Sequence, residues 1–266
     1  MGERKFKSIS ELISLRGKSA IITGAGAGMG AATARRFAEA GADLWLLDID
    51  AANLAALKAE LADTDVHVRT YAIDLGHKAK IDDFWATLSA PGPDILVNNA
   101  GIFPFQSFVK TNEDFVLQVM NVNLHAVYWM CQHFVRMRLK QGGVIINIAS
   151  IEAQLPFKDD LAHYTTGKAA VIALTRSLAR DYGRKGFRAN VILPGGIVTE
   201  GTKNVARLAW KDWRLLKDGF KFWLRLPMGR MGRPDEVARI SLVLASELAS
   251  YMNGAVIPVD GGFLSA

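Results

Sequence analysis

Short apolar runs alternate with amphipathic helical patterns along almost the whole chain, and this alternation restricts the fold more than any other feature. Repeated strand–helix units of this kind predict a parallel sheet with helices on both of its faces. Seven strands are expected, at Ser19–Thr23, Asp43–Asp48, Val66–Ile73, Asp94–Asn98, Gly143–Ala149, Phe187–Leu193 and Ala255–Val259. Helices are expected near residues 29–40, 51–62, 77–89, 112–140, 163–183 and 234–246.

The chain has 266 residues, enough for one large domain. No linker or internal repeat interrupts the pattern, so we predict one doubly wound α/β domain over residues 17–266, preceded by an N-terminal extension at 1–16. The interval 200–230 lies outside the alternation, and its helical periodicity indicates an insertion over the edge of the sheet.

The first predicted strand leads into a glycine-rich loop and then into a helix. Glycines there allow a tight turn, a close approach to a pyrophosphate and close packing of helix on strand, while the helix N-terminus attracts phosphates. A plain strand–helix turn is the alternative, but the position near the N-terminus favours a dinucleotide site. The loop consists of Gly24, Ala25, Gly26, Ala27, Gly28, Met29 and Gly30.

Asp48 ends the second predicted strand, about 20 residues beyond the glycines. A carboxylate there accepts hydrogen bonds from both hydroxyls of an adenosine ribose and repels a 2′-phosphate. Neither Ala27 nor Ile49 or Asp50 supplies a basic side chain for such a phosphate. The pattern therefore favours NAD over NADP, with a helix N-cap at Asp48 as the alternative.

Tyr164 and Lys168 lie four residues apart on a predicted helix, so they share one face. A nearby lysine cation, together with a positive nicotinamide, favours the phenolate and lowers the tyrosine pKa from its usual value of about 10. Ser150, at the end of the fifth strand, can hydrogen-bond a substrate oxygen. Taken singly, Ser150 is more often an ordinary strand-end cap, and Lys168 is more often a solvated helix residue.

These features occur together with further motifs, and the chain resembles the short-chain dehydrogenase/reductase family, which has a Rossmann-type fold. The resemblance runs from about residue 17 to residue 262. The motifs that carry it are the glycine loop, Asp74-Leu75, Asn98-Asn99-Ala100-Gly101, Asn123, Ser150, Tyr164 to Lys168, Pro194 to Thr199, and Gly254 with Val259 to Gly262.

The resemblance implies hydride transfer between a nicotinamide and a secondary alcohol or ketone. It assigns catalysis to Asn123, Ser150, Tyr164 and Lys168, with Asn123 holding a water between the lysine and solvent. It assigns cofactor contacts to Gly24, Gly26, Ala27, Gly28, Met29, Gly30, Asp48, Ile49, Asp74, Leu75, Asn99, Ala100, Gly101, Tyr164, Lys168, Pro194, Gly195, Ile197 and Thr199. Candidate substrate contacts are Ser150, Glu152, Tyr164 and Gly195.

The loop between Ser150 and Tyr164 departs from the family pattern. Fourteen positions separate the two residues, where thirteen is usual, so one residue is inserted and the pocket shape cannot be copied from relatives. Glu152 is a candidate for binding substrate hydroxyls, as in a sugar or polyol. A surface carboxylate paired with Lys158 is the alternative. Ala149 also replaces a frequent serine, without consequence for the mechanism.

The formal net charge of +6 is unevenly distributed. Residues 1–18 carry +3, residues 200–230 carry +5, and the remainder carries −2. The resemblance makes 200–230 a flap over the substrate. Either its cations meet an anionic substrate or they form a solvated basic face, with nucleic acid and membrane surfaces less favoured. The basic stripe comprises Lys203, Arg207, Lys211, Arg214, Lys217, Lys221 and Arg225, with Leu208, Trp210, Trp213, Leu215, Leu216, Phe220, Trp223 and Leu224 around it.

Other classes of function remain open or are disfavoured. Reduction of a 3-oxoacyl thioester is a second enzymatic hypothesis, although Asp48 opposes the NADP that such reductases usually prefer. A non-catalytic dinucleotide sensor or scaffold is the alternative outside catalysis.

The single Cys131 and the scattered histidines lack metal-ligand spacing, so no metal is expected. We expect a cytoplasmic protein with a small-molecule substrate and no membrane or nucleic-acid partner. The resemblance implies a homotetramer, with a dimer left open.

Overall fold

A computed structural model describes residues 6–90, 92–199, 219 and 221–266. Its centre is one seven-stranded sheet in which every pair of neighbouring strands is parallel, in the order β3-β2-β1-β4-β5-β6-β7. The strands are β1 (Ser19–Thr23), β2 (Asp43–Asp48), β3 (Val68–Ala72), β4 (Ile95–Asn98), β5 (Gly143–Ile148), β6 (Phe187–Pro194) and β7 (Val256–Val259). All seven predicted strands are therefore confirmed, the first two with the predicted bounds.

Eight α-helices are described, and they alternate with the strands from β1 onward. They are α1 (Ile9–Ile13), α2 (Gly28–Glu39), α3 (Ala51–Glu60), α4 (Lys78–Ala86), α5 (Glu113–Met120), α6 (Ala126–Met137), α7 (Ala162–Tyr182) and α8 (Pro234–Ala245). Within this described part of the chain, no helix is long and apolar enough to cross a membrane.

The apolar runs form strands because both faces of the sheet are covered. All four residues of β4 are buried, and so are seven of the eight residues of β6. Two apolar clusters lie on the two faces, one around Phe37 and one around Phe134. The strand order reverses between β1 and β4, so the carboxyl ends of these strands open into a crevice, the usual ligand site of such sheets.

The predicted helix over 112–140 is the main local difference. The segment is helical, but a π-helical turn at Asn121–His125 separates α5 from α6. The hydrophobic pattern does not reveal this turn, because one widened turn leaves the buried face nearly unchanged. π-Turns in proteins occur frequently at functional sites, and this one contains Asn123.

The two basic segments, 1–18 and 200–230, differ in how much of each the structure describes. At the N-terminus, Ser8 caps α1, Lys7 pairs with Glu247 at 2.6 Å, and Leu15 is buried in the core. The end of the predicted extension therefore packs on the sheet domain. Most of the predicted basic stripe, from Lys203 to Lys217, lies outside the described residues.

Candidate active site

The glycine loop lies at the carboxyl end of β1, in the crevice opened by the strand order. Gly24 has a φ of +63°, and a Cβ there would lie 2.8 Å from the Ala100 Cα. A Cβ on Gly30 would collide with the Gly24 carbonyl oxygen. Only glycine therefore fits where the loop turns and where α2 packs under it. At Ala27, the N-cap of α2, no side chain caps the helix N-terminus. The first N–H groups of α2 suit a phosphate.

Asp48 lies at the end of β2 and faces the glycine loop. Its Oδ2 accepts a hydrogen bond from the Gly26 N–H at 2.8 Å, and its Oδ1 accepts one from the Asp50 N–H at 3.0 Å. Asp50, and not Asp48, caps α3, through the Asn53 N–H. The alternative that Asp48 is merely an N-cap is therefore wrong. Ile49 beside it is 71% exposed, as an apolar surface for an adenine ring would be.

The motif after β4 holds the glycine loop from the opposite side. The Asn99 Nδ2 donates to the carbonyl oxygens of Thr23 and Gly24, each at 3.0 Å. The Thr23 hydroxyl oxygen in turn accepts from the backbone N–H groups of Asn99 and Ala100. The conformation of the loop is therefore fixed from β4 as well as from β2.

Asp74 and Leu75, the next predicted cofactor contacts, lie just after β3. The Asp74 Oδ1 accepts from the Gly76 N–H at 2.9 Å, and its Oδ2 lies 3.0 Å from His77 Nδ1. Leu75 is buried in the core. The aspartate thus closes a short turn that leads into α4.

The segment after β6 forms the opposite wall of the crevice. A Cβ on Gly195 would lie 2.7 Å from the Asp260 Cα, so this close approach requires glycine. Ile197 is buried, and a Cβ on Gly28 would lie 3.3 Å from a Thr199 side-chain carbon. Thr199 and the start of α2 therefore face each other across the crevice.

Ser150, Tyr164 and Lys168 converge at the carboxyl end of β5. Ser150 follows this strand, and its side chain lies near enough to Tyr164 to lower the tyrosine pKa. Tyr164 and Lys168 lie one turn apart on α7, with the Lys168 Nζ 5.9 Å from the centre of the tyrosine ring. The structure thus brings together three of the four side chains that the resemblance assigns to catalysis.

The pKa of Tyr164 in the protein alone is set mainly by burial. Burial raises it to about 12, the nearby Ser150 hydroxyl only partly opposes this effect, and the Glu152 charge adds to it. Lys168 is buried, its Nζ donates to the Ile148 carbonyl oxygen at 2.9 Å, and burial lowers its pKa to about 8. The phenol is therefore protonated at neutral pH until further positive charge approaches its oxygen.

Asn123, the fourth predicted catalytic residue, is fully buried in the π-turn. Its Nδ2 donates to the Ile102 carbonyl oxygen at 2.7 Å, and its Oδ1 accepts from the Ile102 N–H at 2.9 Å. A Cβ on Gly101 would lie 3.0 Å from Asn123 Oδ1 and 3.2 Å from Lys168 Nζ. Asn123 and Lys168 thus meet beside Gly101, while the predicted water relay stays a prediction.

Glu152 is buried, not at the surface. Its Oε2 accepts from the Phe157 N–H at 2.9 Å, and its Oε1 accepts from the Lys158 N–H at 3.3 Å. Burial raises its pKa, although these two hydrogen bonds and then the charge of Lys158 oppose the effect. The carboxylate therefore closes the loop that contains the inserted residue. Its contact with substrate hydroxyls stays a prediction.

Sequence reasoning missed the aromatic wall beside Tyr164. The ring of Phe103 contacts Tyr164 edge-to-face at 6.3 Å between centroids, and it contacts Phe105 at 6.4 Å. In a separate cluster, Phe157, Phe222 and Phe263 pack together with centroids 4.8–5.7 Å apart. The one signal for the first pair was its position directly after Gly101 and Ile102.

The comparisons with known proteins agree with this geometry. A family profile described as enoyl-(acyl carrier protein) reductase matches residues 24–264. A galactitol 2-dehydrogenase (L-tagatose-forming) from Cereibacter sphaeroides is 37% identical over 94% of this chain and 96% of its own length. The 3-oxoacyl-[acyl-carrier-protein] reductase FabG of Chlamydia pneumoniae is 34% identical over 94% and 98%.

One solved structure shows the same architecture with ligands. The L-sorbose reductase of Gluconobacter frateurii, solved in complex with NADPH and L-sorbose, superposes with a TM-score of 0.88. It is 29% identical, and the match covers 96% of this chain and 99% of that one. The chain therefore belongs to the short-chain dehydrogenase/reductase family, and it is an oxidoreductase of the kind that acts on CH–OH groups.

Proposed function

We propose that this protein is an NAD-dependent dehydrogenase that interconverts a secondary alcohol and a ketone on a polyhydroxylated small molecule. The observation that carries the proposal is the joint placement of Ser150, Tyr164 and Lys168 beside a loop in which Asp48 faces the glycines. A dinucleotide phosphate fits this loop, because no side chain caps the N-terminus of α2 and its first N–H groups suit an anion. The Asn99 and Asp48 side chains fix the conformation of the loop.

The side chains at the site have separate roles in this reaction. The nicotinamide, when bound, accepts a hydride from the alcohol carbon or returns it to the ketone. Ser150 donates a hydrogen bond to the substrate oxygen and stabilises its partial negative charge. Tyr164, protonated at neutral pH with a pKa of about 12, gives its proton to that oxygen during reduction. In oxidation the tyrosine oxygen takes this proton from the alcohol hydroxyl.

Oxidation needs a lower tyrosine pKa than the protein alone provides. Lys168, with a pKa near 8, is mostly charged at neutral pH, and it lies on the same face of α7. Its charge favours the phenolate once the cofactor adds a second cation near the tyrosine oxygen. Asn123 holds the backbone of Ile102 beside this lysine, and we propose that it keeps the proton path to solvent in place.

Preference for NAD is supported by the position of Asp48. Both of its oxygens already bond backbone N–H groups, and each retains a lone pair for a ribose hydroxyl. A 2′-phosphate would lie against this negative charge. We also propose that the protein is homotetrameric, which size measurements on the purified protein would test, and cytoplasmic, which fractionation of the cells would test.

The substrate class is supported by the sugar-related names of two relatives, the galactitol dehydrogenase and the L-sorbose reductase. The direct test is a screen of alditols, aldoses, aldonic acids and small ketones with NAD and with NADP, followed by the absorbance of the reduced cofactor. We expect reduced cofactor to form at least about tenfold faster with NAD than with NADP. This ratio corresponds to a difference of about 1.4 kcal/mol in free energy between the two cofactors. Turnover confined to NADP would contradict the cofactor assignment.

A second candidate is reduction of a 3-oxoacyl thioester, which the similarity to FabG favours. Its test is turnover of a 3-oxoacyl thioester with NADPH and with NADH. Efficient use of the thioester with NADPH, together with no turnover of any polyol, would replace the first candidate by the second. A non-catalytic sensor would bind the dinucleotide without any turnover in either assay.

A further inference from the structure

His163 lies in the first turn of α7, directly before Tyr164, and its side chain is buried. Its Nε2 lies 2.8 Å from the Pro104 carbonyl oxygen. A carbonyl oxygen can only accept a hydrogen bond, so this nitrogen carries a hydrogen and donates it to the bond. The histidine has no role in the proton transfer proposed above, although it is the residue next to Tyr164.

The carbonyl that binds this histidine belongs to the segment 101–107, which is neither helix nor strand. Such a segment has no ladder of backbone hydrogen bonds, so its few bonds to the rest of the protein decide its position. At its start, both backbone groups of Ile102 bond to the Asn123 side chain. At its end, the Gln106 N–H donates to the Asp160 carbonyl oxygen at 3.1 Å. The bond to the histidine holds the middle of the segment, between these two points.

Pro104 makes this bond important for the residue that precedes it. A proline has no N–H, so its carbonyl oxygen is the one backbone group through which Pro104 can form a hydrogen bond. A proline also favours an extended conformation in the residue before it, which here is Phe103. The bond from His163 therefore holds the Pro104 carbonyl on α7 and sets the direction in which the Phe103 side chain leaves the backbone.

The Phe103 side chain is directed at the proposed proton donor. Its ring contacts the Tyr164 ring edge-to-face, with 6.3 Å between the centroids, and both side chains are only partly exposed. Loss of the bond to Pro104 would let the Phe103 ring move away and admit water beside the tyrosine. Proton transfer depends steeply on the position of the donor, so such a movement would slow the reaction.

The histidine ring is itself held by a second element. The Phe115 ring, on α5, lies edge-to-face against the imidazole of His163, with 4.8 Å between the centroids. The Phe115 N–H donates to the side chain of Asn112, the N-cap of α5. The imidazole is therefore oriented by α5 as well as by α7, as expected for a side chain that supports a reaction site.

We propose that His163 is a positioning residue, whose hydrogen bond to Pro104 keeps the ring of Phe103 against Tyr164 during proton transfer. This inference rests on the proposed function, in which Tyr164 transfers the proton. The histidine acts through the phenylalanine ring and not on the reacting atoms.

The first test measures amide hydrogen exchange of residues 101–107 in the full-length protein by mass spectrometry. His163→Phe keeps an aromatic ring against Phe115 and removes the donor, so we expect exchange of the segment to become at least about fivefold faster. His163→Gln places an amide N–H at a similar reach and should keep exchange slow. His163→Asn carries the same amide too close to the backbone and should not. This pair of amides decides the question even if His163→Phe does not fold.

The second test measures kcat with NAD and the alcohol that reacts fastest in the screen described above. We expect His163→Phe and His163→Asn to lower kcat about 5- to 30-fold, with the dissociation constant for NAD changed less than about twofold. His163→Gln should keep most of the activity. Phe103→Leu should lower kcat by a similar factor. The double variant of His163→Phe and Phe103→Leu should be within about twofold of the slower single variant, because the histidine acts through this ring.

His133→Phe is the matched control for loss of a histidine hydrogen bond. His133 forms a bond of the same length, from its Nε2 to the Asp82 Oδ1 at 2.8 Å, and this bond joins α6 to α4. The control should change neither the exchange of residues 101–107 nor kcat.

Three results would overturn the inference. The first is unchanged exchange of the segment in His163→Phe and His163→Asn, and the second is an equal loss of kcat in His163→Gln and His163→Asn. The third is a double variant in which the two losses multiply, as for two independent effects. Failure of the proposed function looks different, because the unaltered protein would then turn over no alcohol while exchange still depended on His163. That result would overturn the role of His163 in catalysis.

Discussion

Replacing Asp48 by asparagine tests the cofactor assignment while changing the side chain by a single group. In the structure the carboxylate accepts hydrogen bonds from Gly26 on one side and Asp50 on the other. An asparagine has one accepting oxygen, so it satisfies one of these N–H groups and turns an amide NH₂ toward the other. The variant therefore loses a negative charge and strains the end of the glycine loop.

The expected change in selectivity follows from two effects. A charged acceptor for a ribose hydroxyl contributes about 1 kcal/mol more than a neutral one, so NAD affinity should fall by about five- to tenfold. Removal of the carboxylate also relieves its repulsion of a 2′-phosphate, ~3 kcal/mol for unit charges ~5 Å apart at an effective dielectric constant of ~20. The ratio of the NADP and NAD dissociation constants should shift toward NADP by on the order of 10²- to 10³-fold.

The assay is titration of both dinucleotides by calorimetry, together with kcat/KM for each on one substrate. Asp50→Asn is the matched control, because it removes an equal charge two residues away and keeps a good helix N-cap. This control should leave selectivity nearly unchanged. A selectivity ratio in Asp48→Asn within about threefold of the unaltered protein would refute the reasoning.

Two further predictions concern stability. Asn147→Ala should reduce the free energy of unfolding by about 3 kcal/mol, because it leaves the buried Asn98 amide and the Thr175 hydroxyl without their bonds of 2.8 and 2.9 Å; a loss under about 1 kcal/mol in urea unfolding would contradict this. Arg36 chiefly, helped by Arg239, lowers the pKa of Asp235 to about 2. The ionised Asp235 therefore contributes to the free energy of unfolding above pH ~4, and this contribution is lost as pH falls toward ~2. Asp235→Asn should therefore destabilise the protein at pH 7 but hardly at pH 2, and equal effects at both would contradict this.

The fold was predictable because its signals are local. The apolar runs of β1 and β2 are bounded by polar residues, and their predicted bounds match the structure. The strand β3 is shorter than the predicted Val66–Ile73, because it lies at the edge of the sheet, where partial exposure leaves the pattern weak. The π-turn around Asn123 was not predictable, since a single wider turn hardly disturbs the hydrophobic periodicity.

The convergence of the candidate site residues was predictable, but their electrostatics were not. Motif spacing placed Ser150, Tyr164 and Lys168 together. Burial raises the pKa of Tyr164 in the protein alone, and this effect was not predictable because desolvation depends on packing that no local pattern encodes. The predicted fall belongs to the site with a positive nicotinamide and stays a prediction. The burial of Glu152 was not predictable for the same reason. The sequence of the inserted loop shows that this side chain carries a charge, but not how it packs.

Turnover by Tyr164→Phe tests the central claim most directly. The variant keeps the ring that packs on Phe103 and removes only the oxygen that carries the proton. We predict that kcat falls by about 10²- to 10⁴-fold, as for loss of a general acid–base group, while the dissociation constant for NAD changes little. Tyr182→Phe, on the same helix, should retain full activity. If Tyr164→Phe kept its turnover within about twofold, proton transfer by Tyr164 would be contradicted.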